Sequence, residues 1–410
     1  MGFGVEHAGR ARQDFPAIAR PRPGGALAFL DGPGGSQVPQ AVIDAIAEFY
    51  ATCNVNTHGQ FEPSREVDRR MDAARAALAT FLGAPDPSCI SFGQNMTSLN
   101  FALATAIGRT LAAGDEVLIT QLDHEANRGP WLGLRERGIT VEEVRLTPAG
   151  VLDYEDLERR ITSRTRLLAI GASSNALGTV NDLALARRLT SAVGAWLVVD
   201  AVHYAPHFPV DVTALDCDFL LCSAYKFYGP HIGVLYSRPG LLERLPTNRL
   251  SVQDPAAPYR IETGTLNHAA IHGARVAIDY LAGFGRGDSL RDRLLDAMSA
   301  ISAYEHGLAA SYYERVRKLP GVSVYGPDFS SRARAPTVSI TLERCSAEAA
   351  AQALATEGVC VWDGHFYAAR AVEVLGLASR GGLLRTGMSL YTLPEDLDRL
   401  MRGLERLTRH

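Results

Sequence analysis

Two apolar runs in the middle of the chain each stop at an ionisable residue, and they restrict the fold more than any other feature. Trp196-Leu197-Val198-Val199 ends at Asp200, and Phe219-Leu220-Leu221-Cys222 leads through Ser223-Ala224-Tyr225 to Lys226. Four consecutive large apolar residues leave no face for water, so each run predicts a strand buried on both sides of a sheet. Open sheets of this kind bind ligands in the crevice beyond the carboxyl ends of their strands. Asp200 and Lys226 would arrive there side by side. A buried Asp–Lys ion pair, or two unrelated polar strand ends, would give the same pattern, so the surroundings have to decide.

From residue 90 onward, strand and helix signals alternate. Strands are expected at Val117–Thr120, Val141–Leu146, Leu167–Ala172, the Trp196 and Phe219 runs, and Gly233–Tyr236. Helices are expected near Asn127–Arg137, at Tyr154–Ile161 and at Leu183–Val193. That alternation predicts an α/β fold with a mainly parallel sheet between helices. Upstream, Val38–Tyr50 and Glu66–Leu82 have helical apolar spacing. Residues 1–25, with three prolines and several arginines, read as an extended arm. Beyond about residue 285 the texture changes to a long helix (Leu290–Leu319), short strands (Val322–Tyr325, Thr337–Leu342, Val359–Trp362, Leu384–Gly387) and helices at Ala347–Glu357 and Pro394–Leu407. We expect a large domain at 26–285 and a smaller α+β domain built from 1–25 and 286–410, with the crevice between them.

Composition narrows the function. A net charge of −4 gives no reason to expect nucleic acid or an anionic membrane as partner. No apolar run approaches a membrane span, and the first fourteen residues lack the apolar core of a secretory signal. Six cysteines (53, 89, 217, 222, 345, 360) form no C-x-x-C pair, so reduced thiols of a cytoplasmic protein are expected, without a metal site.

The residues around Asp200 and Lys226 suggest a cofactor. Pyridoxal 5'-phosphate needs a lysine for its Schiff base and a carboxylate that keeps the pyridine nitrogen protonated. Asn95 precedes a helix with apolar residues at Leu99, Leu103, Ile107 and Leu111, so Asn95, Met96 and Thr97 could cradle a phosphate. Most helix amino termini bind only water. Ser223 would add a hydroxyl, and the Gly264-Thr265 turn offers further amides or is an ordinary loop. His124 follows a strand and could lie flat on a planar ring, although a lone histidine there is more often simply packed. Asn175 could donate to the cofactor's phenolic oxygen or to a substrate carboxylate, and His203 lies in reach of the same oxygen. Arg385, in the apolar segment Leu383–Gly387, needs an anion, either a substrate α-carboxylate or an internal acid.

Taken in order, His124, Asn175-Ala176-Leu177-Gly178, Asp200, Ser223-x-x-Lys226, Glu262-Thr263-Gly264-Thr265 and Arg385 resemble the motifs of class V aminotransferase-fold proteins. The branch is that of cysteine desulfurases, selenocysteine lyases and isopenicillin N epimerase. The resemblance spans nearly the whole chain, from Phe29-Leu30-Asp31 to the segment 391–400. It implies the fold of type I pyridoxal phosphate enzymes, with a seven-stranded sheet. It also implies a homodimer with shared sites, in which the Gly264–Thr265 turn reaches the partner's phosphate. His124 would stack on the ring, Asp200 would meet its nitrogen, and Arg385 would take the substrate carboxylate.

Three departures matter. His203 stands where desulfurases usually carry Gln, and Tyr225 where they carry His. In Trp362-Asp363-Gly364-His365-Phe366-Tyr367-Ala368, Tyr367 is the nearest match to the sulfur-accepting cysteine and Trp362 to an arginine. A phenol is not the soft, partly ionised nucleophile that accepts sulfur. The persulfide route therefore loses its acceptor unless Cys360, read as core, or Cys53 replaces it. The expected activity is chemistry at the α-carbon of an amino acid, with Lys226 as base and His365, Tyr367 and Tyr225 as candidate proton donors. β-Elimination of sulfur or selenium comes first, with transamination or epimerisation as alternatives. A non-catalytic pyridoxal-phosphate-binding protein is the alternative from another class.

Overall fold

A computed structural model describes residues 2–22, 25–330 and 333–409. Its strands, in chain order, are β1 (Ala28–Phe29), β2 (Ile90–Gly93), β3 (Glu116–Thr120), β4 (Thr140–Val144), β5 (Thr165–Gly171), β6 (Trp196–Asp200), β7 (Phe219–Ser223), β8 (Gly233–Ser237), β9 (Val322–Tyr325), β10 (Thr337–Leu342), β11 (Val359–Cys360), β12 (Trp362–Gly364) and β13 (Leu383–Gly387). Seven of them form one sheet in the order β2-β8-β7-β6-β5-β3-β4. The pairs β3–β4, β3–β5, β5–β6 and β6–β7 are parallel, and β8 alone runs against its neighbours. The α/β class and the mainly parallel seven-stranded sheet follow the sequence expectation.

The apolar runs behave as their composition demands. Leu197, Val198, Val199, Phe219, Leu220 and Leu221 have no exposed surface, because helices cover both faces. One face packs on the helix Glu62–Leu82 through Leu78, Phe81 and Leu82, and the other on the helix Met96–Gly108 through Leu99, Leu103 and Ile107. Strands β2, β3, β5, β6 and β7 all end on the same edge of the sheet. That shared polarity brings together residues 95, 124, 171, 200 and 223, which lie far apart in sequence.

Four antiparallel strands, β12-β13-β10-β9, form a second sheet. Its core combines Val338, Ile340 and Leu384 with Tyr312 and Val316 of the long helix Leu290–Val316 and Leu397, Leu400 and Leu404 of the helix Pro394–Arg409. The long helix opens on a capping box between Ser289 and Asp292.

Four local expectations need correction. The start of the chain is not an extended arm: Val5–Gln13 and Pro16–Ala19 are helical, and Ala11, Phe15 and Ile18 are buried in the core beneath the large sheet. The arginine content that suggested an arm includes Arg12, which is itself buried on Asp396 at 2.5 Å. The helix expected at Asn127–Arg137 is broken into short turns around Gly129-Pro130 and Gly133. The strand expected at Val359–Trp362 is two strands, β11 paired with β1 and β12 with β13. A fifteen-residue helix, His268–Ala282, was not anticipated, although Ile271, Ala274, Ile278 and Leu281 fall on one buried face.

Candidate active site

The carboxyl edge of the large sheet opens into a cavity lined by Asn95, Met96, Thr97, Asp123, His124, Ala126, Gly171, Ser173, Asn175, Asp200, Val202, His203, Ser223, Tyr225 and Lys226. Ten of the twelve residues expected to hold the cofactor are in that wall. Lys226 lies in a short turn directly after β7 and is buried. Its Nζ donates to the Pro33 carbonyl and sits 4.9 Å from the centre of the Tyr225 ring. Burial and the nearby Arg385 charge lower its pKa to about 7, although Asp31 and Asp200 pull the other way.

Asp200 ends β6, and its Oδ1 accepts the Val202 amide at 2.9 Å. Burial pushes its carboxyl up to about 6, against the opposing pull of that amide and of Lys226. A second buried acid, Asp123, faces the same cavity. It accepts the Gly171 amide and the Asn127 side chain, both at 3.0 Å. Burial, then repulsion from Asp200, raises Asp123 to about 7. A Cβ on Gly171 would lie 2.7 Å from Asp123 Oδ1, so a side chain there would push the carboxylate out of place. Asp123 was not among the residues expected at the site; its place beyond the buried strand β3 was the available signal.

His124 accepts the Ala126 amide on Nδ1 at 2.9 Å, so the neutral ring carries its proton on Nε2. Burial, Lys226 and Arg385 depress its pKa to about 4, which keeps it neutral. At the start of the helix Met96–Gly108, Asn95 Oδ1 caps the Ser98 amide at 2.8 Å, and the Met96 amide donates to Ser223 Oγ at 3.0 Å. His203 is held by Thr337 Oγ1 at 2.9 Å, with its Nδ1 unpartnered. Ser173 Oγ and Asn175 Oδ1 are likewise buried without a partner.

Three groups of expected residues lie outside the cavity wall. Arg385 is buried against Asn175, whose carbonyl accepts from Nη1 at 3.2 Å, and Phe366, whose ring centre is 4.3 Å away. Its Nη2 pairs with Asp31 Oδ1 at 2.9 Å, so the internal acid left open by the sequence exists. His365 and Tyr367 are exposed on the loop after β12. The Tyr367 ring stacks on His124 with centroids 5.4 Å apart and planes 23° from parallel. Asn175 Nδ2 donates to the Phe366 carbonyl at 2.8 Å and the Glu125 amide to the Tyr367 carbonyl at 2.7 Å, which ties this loop to the cavity rim. Gly264 and Thr265 are on another surface, in an open groove with His58, Asp68, Arg75 and Tyr259. Within one chain they do not join the cavity.

The model of the family described as aminotransferase class-V matches residues 28–400. The chain belongs to the class V aminotransferase family. Among its relatives, a cysteine desulfurase of Pectobacterium atrosepticum is 33% identical, with 100% of this chain and 99% of that protein covered. A cysteine desulfurase of Serratia proteamaculans is also 33% identical, with 99% of each covered. Among solved structures, the cysteine desulfurase CsdA of Escherichia coli superposes with a TM-score of 0.85 at 28% identity, and an apo cysteine desulfurase of Thermococcus onnurineus NA1 with 0.86 at 26%. Each covers 98% of both chains. The protein is thus a cysteine desulfurase-like class V enzyme. Against that background its thiols stand out. All six cysteines are free, and none lines the cavity. Burial raises the thiol pKa of Cys89, Cys217, Cys222, Cys345 and Cys360.

Proposed function

We propose that this protein is a pyridoxal-phosphate-dependent C–S lyase that acts on cysteine or an S-substituted cysteine and releases the sulfur as a free small molecule. The observation that carries the reading is a cavity holding both Lys226 and Asp200 with no cysteine in its wall. The donor set supports the cofactor. Lysine, carboxylate, a neutral imidazole and a capped helix amino terminus converge, while His203 Nδ1, Asn175 Oδ1 and Ser173 Oγ are buried polar atoms needing partners.

When bound, pyridoxal phosphate withdraws electrons from the substrate's α-carbon. Asp200 offers a carboxylate for the ring nitrogen, and His124 a flat, uncharged face. The amide start of Met96–Gly108, with Ser223, offers donors for the phosphate. Arg385 seats the substrate carboxylate. Lys226 accepts the α-proton as a free amine, since a pKa near 7 leaves much of it neutral at physiological pH. Tyr367, His365 and Tyr225 carry protons to hand to the leaving sulfur. With water as co-reactant, cysteine yields pyruvate, ammonia and sulfide, and a selenium analogue would engage the same groups. Tyr367, where desulfurases carry the accepting cysteine, supports release over transfer to the protein. A homodimer in which Gly264 and Thr265 serve the partner's phosphate would explain their distance from their own cavity. Free cysteines support a cytoplasmic setting.

Incubation of the holoenzyme with L-cysteine tests the reading. Sulfide with pyruvate is expected. Alanine, formed when an enzyme thiol takes the substrate's sulfur and becomes a persulfide, would reassign the protein to sulfur transfer. Solvent deuterium at the α-carbon without product would indicate epimerisation. A cofactor spectrum unmoved by any amino acid would indicate a binding protein.

A further inference from the structure

We propose that Asp31 is the positioning residue for Arg385, holding its guanidinium in the one orientation that leaves Nε free for a substrate carboxylate. This rests on the reading that Arg385 seats that carboxylate. A guanidinium has five N–H donors in a rigid plane, so a few contacts fix all of them. Here Asp31 Oδ1 takes Nη2 at 2.9 Å, the Asn175 carbonyl takes Nη1 at 3.2 Å, and the Phe366 ring lies 4.3 Å from the central carbon. The side chain of Arg385 is 3% exposed, and its Nε has no partner. A buried N–H without an acceptor is costly. An anion arriving at Nε would supply what the protein withholds.

The backbone around Asp31 is shaped to bring its carboxylate to this place. Asp31 bridges Gly387 in parallel register, two residues beyond Arg385, and the Gly387 amide donates to the Leu30 carbonyl at 2.8 Å. Three glycines make that approach possible. A Cβ on Gly387 would collide with the Pro33 ring, one on Gly32 would lie 2.5 Å from Ser389 Oγ, and one on Gly34 would overlap the Asp31 carboxylate. The same turn carries Pro33, whose carbonyl receives Lys226 Nζ. One loop therefore contacts both cations of the site. An aspartate that merely neutralised Arg385 would not need this close-packed turn.

The test compares how L-cysteine and L-cysteinamide, which lacks the carboxylate, perturb the holoenzyme's absorption spectrum. Wild type is expected to prefer the acid, and Arg385→Gln to lose that preference. Asp31→Asn should weaken half-saturation by L-cysteine about tenfold while leaving cysteinamide and the resting cofactor band unchanged, since only the oriented carboxylate contact is lost. Gly34→Ala keeps the charge but displaces the carboxylate, and should reproduce this loss. Asp31→Glu should restore part of it. If Arg385→Gln loses the preference but Asp31→Asn and Gly34→Ala retain it, the positioning role is wrong and the carboxylate seat stands. Tighter L-cysteine binding in Asp31→Asn would also overturn it, since Asp31 would then be a competitor. If Arg385→Gln keeps the preference, or wild type has none, the seat itself is wrong, and this inference falls with it.

Discussion

At the scale of single residues, burial and charge conflict at Lys226. An ammonium inside the sheet edge loses its hydration, and Arg385 repels it, while Asp31 and Asp200 attract it. Burial wins, and the pKa falls from 10.5 to about 7. The sign has a kinetic consequence for the cofactor-free protein. Only the neutral amine attacks an aldehyde, so uptake of pyridoxal phosphate should quicken about tenfold per pH unit below 7 and level off above about 8. An unshifted lysine would keep accelerating to beyond pH 10. Stopped-flow absorbance across pH 5.5–9.5 separates the two profiles, and Lys226→Ala should give no covalent band at any pH. Both Lys226 and Asp200 were legible in the sequence, because an ionisable residue closing a fully apolar run has few places to go. Asp31 was not. Its role depends on a partner 354 residues away, and no local pattern announces such a contact.

At the scale of elements, the end of the cavity proposed to take the phosphate depends on how closely the helix Met96–Gly108 approaches β8. Gly233 opens β8 and pairs with Gly93 and Ser223 on its two sides. A Cβ there would run into the Asn95 backbone, including its carbonyl oxygen at 2.5 Å. Backbone cannot rotate away as a side chain can, so Gly233→Ala should push the helix start off the sheet. The Met96–Ser223 hydrogen bond would lengthen with it. We expect a stability loss of about 1–3 kcal/mol, as for overpacked cores, with a larger effect on pyridoxal phosphate affinity than on folding. Equilibrium dialysis of the cofactor alongside thermal melts would measure both; unchanged affinity would mean that the cradle is placed by something else. Six of the seven strands of this sheet were expected from the sequence, the inner ones because burial on both faces forces continuous apolar runs, whereas the short β2 was not. Nor were the helix His268–Ala282 and the helical start of the chain. The first buries Ile271, Ile278 and Leu281 among small residues and His272, and the second buries Arg12 on Asp396 beside Phe15 and Ile18, so their apolar signal is sparse and broken by polar side chains.

At the scale of the whole molecule, the motif Glu262-Thr263-Gly264-Thr265 matched the family in sequence but lies away from the cavity in the folded chain. Glu262 is buried on Arg75 at 2.7 Å and accepts the Phe92 amide at 2.7 Å, which roots the turn firmly in the large sheet. Gly264 and Thr265 themselves are exposed, near Leu250 and Val252, which are 62% and 90% exposed. A rigid base carrying an exposed turn beside apolar surface suits a role across an interface rather than within one chain. That reading can be separated from a same-chain role by mixing two inactive proteins. Lys226→Ala removes the tether, and Thr265→Glu places a negative charge where a phosphate would be met. If the turn serves the partner, a mixed dimer holds one site with both defects and one with neither. Random exchange of subunits should then restore about a quarter of wild-type L-cysteine turnover, because half the dimers are mixed and each has one intact site. If the turn serves its own chain, every site keeps a defect, and mixing restores nothing. Sedimentation of each variant at the assay concentration excludes simple dissociation as the cause of a negative result.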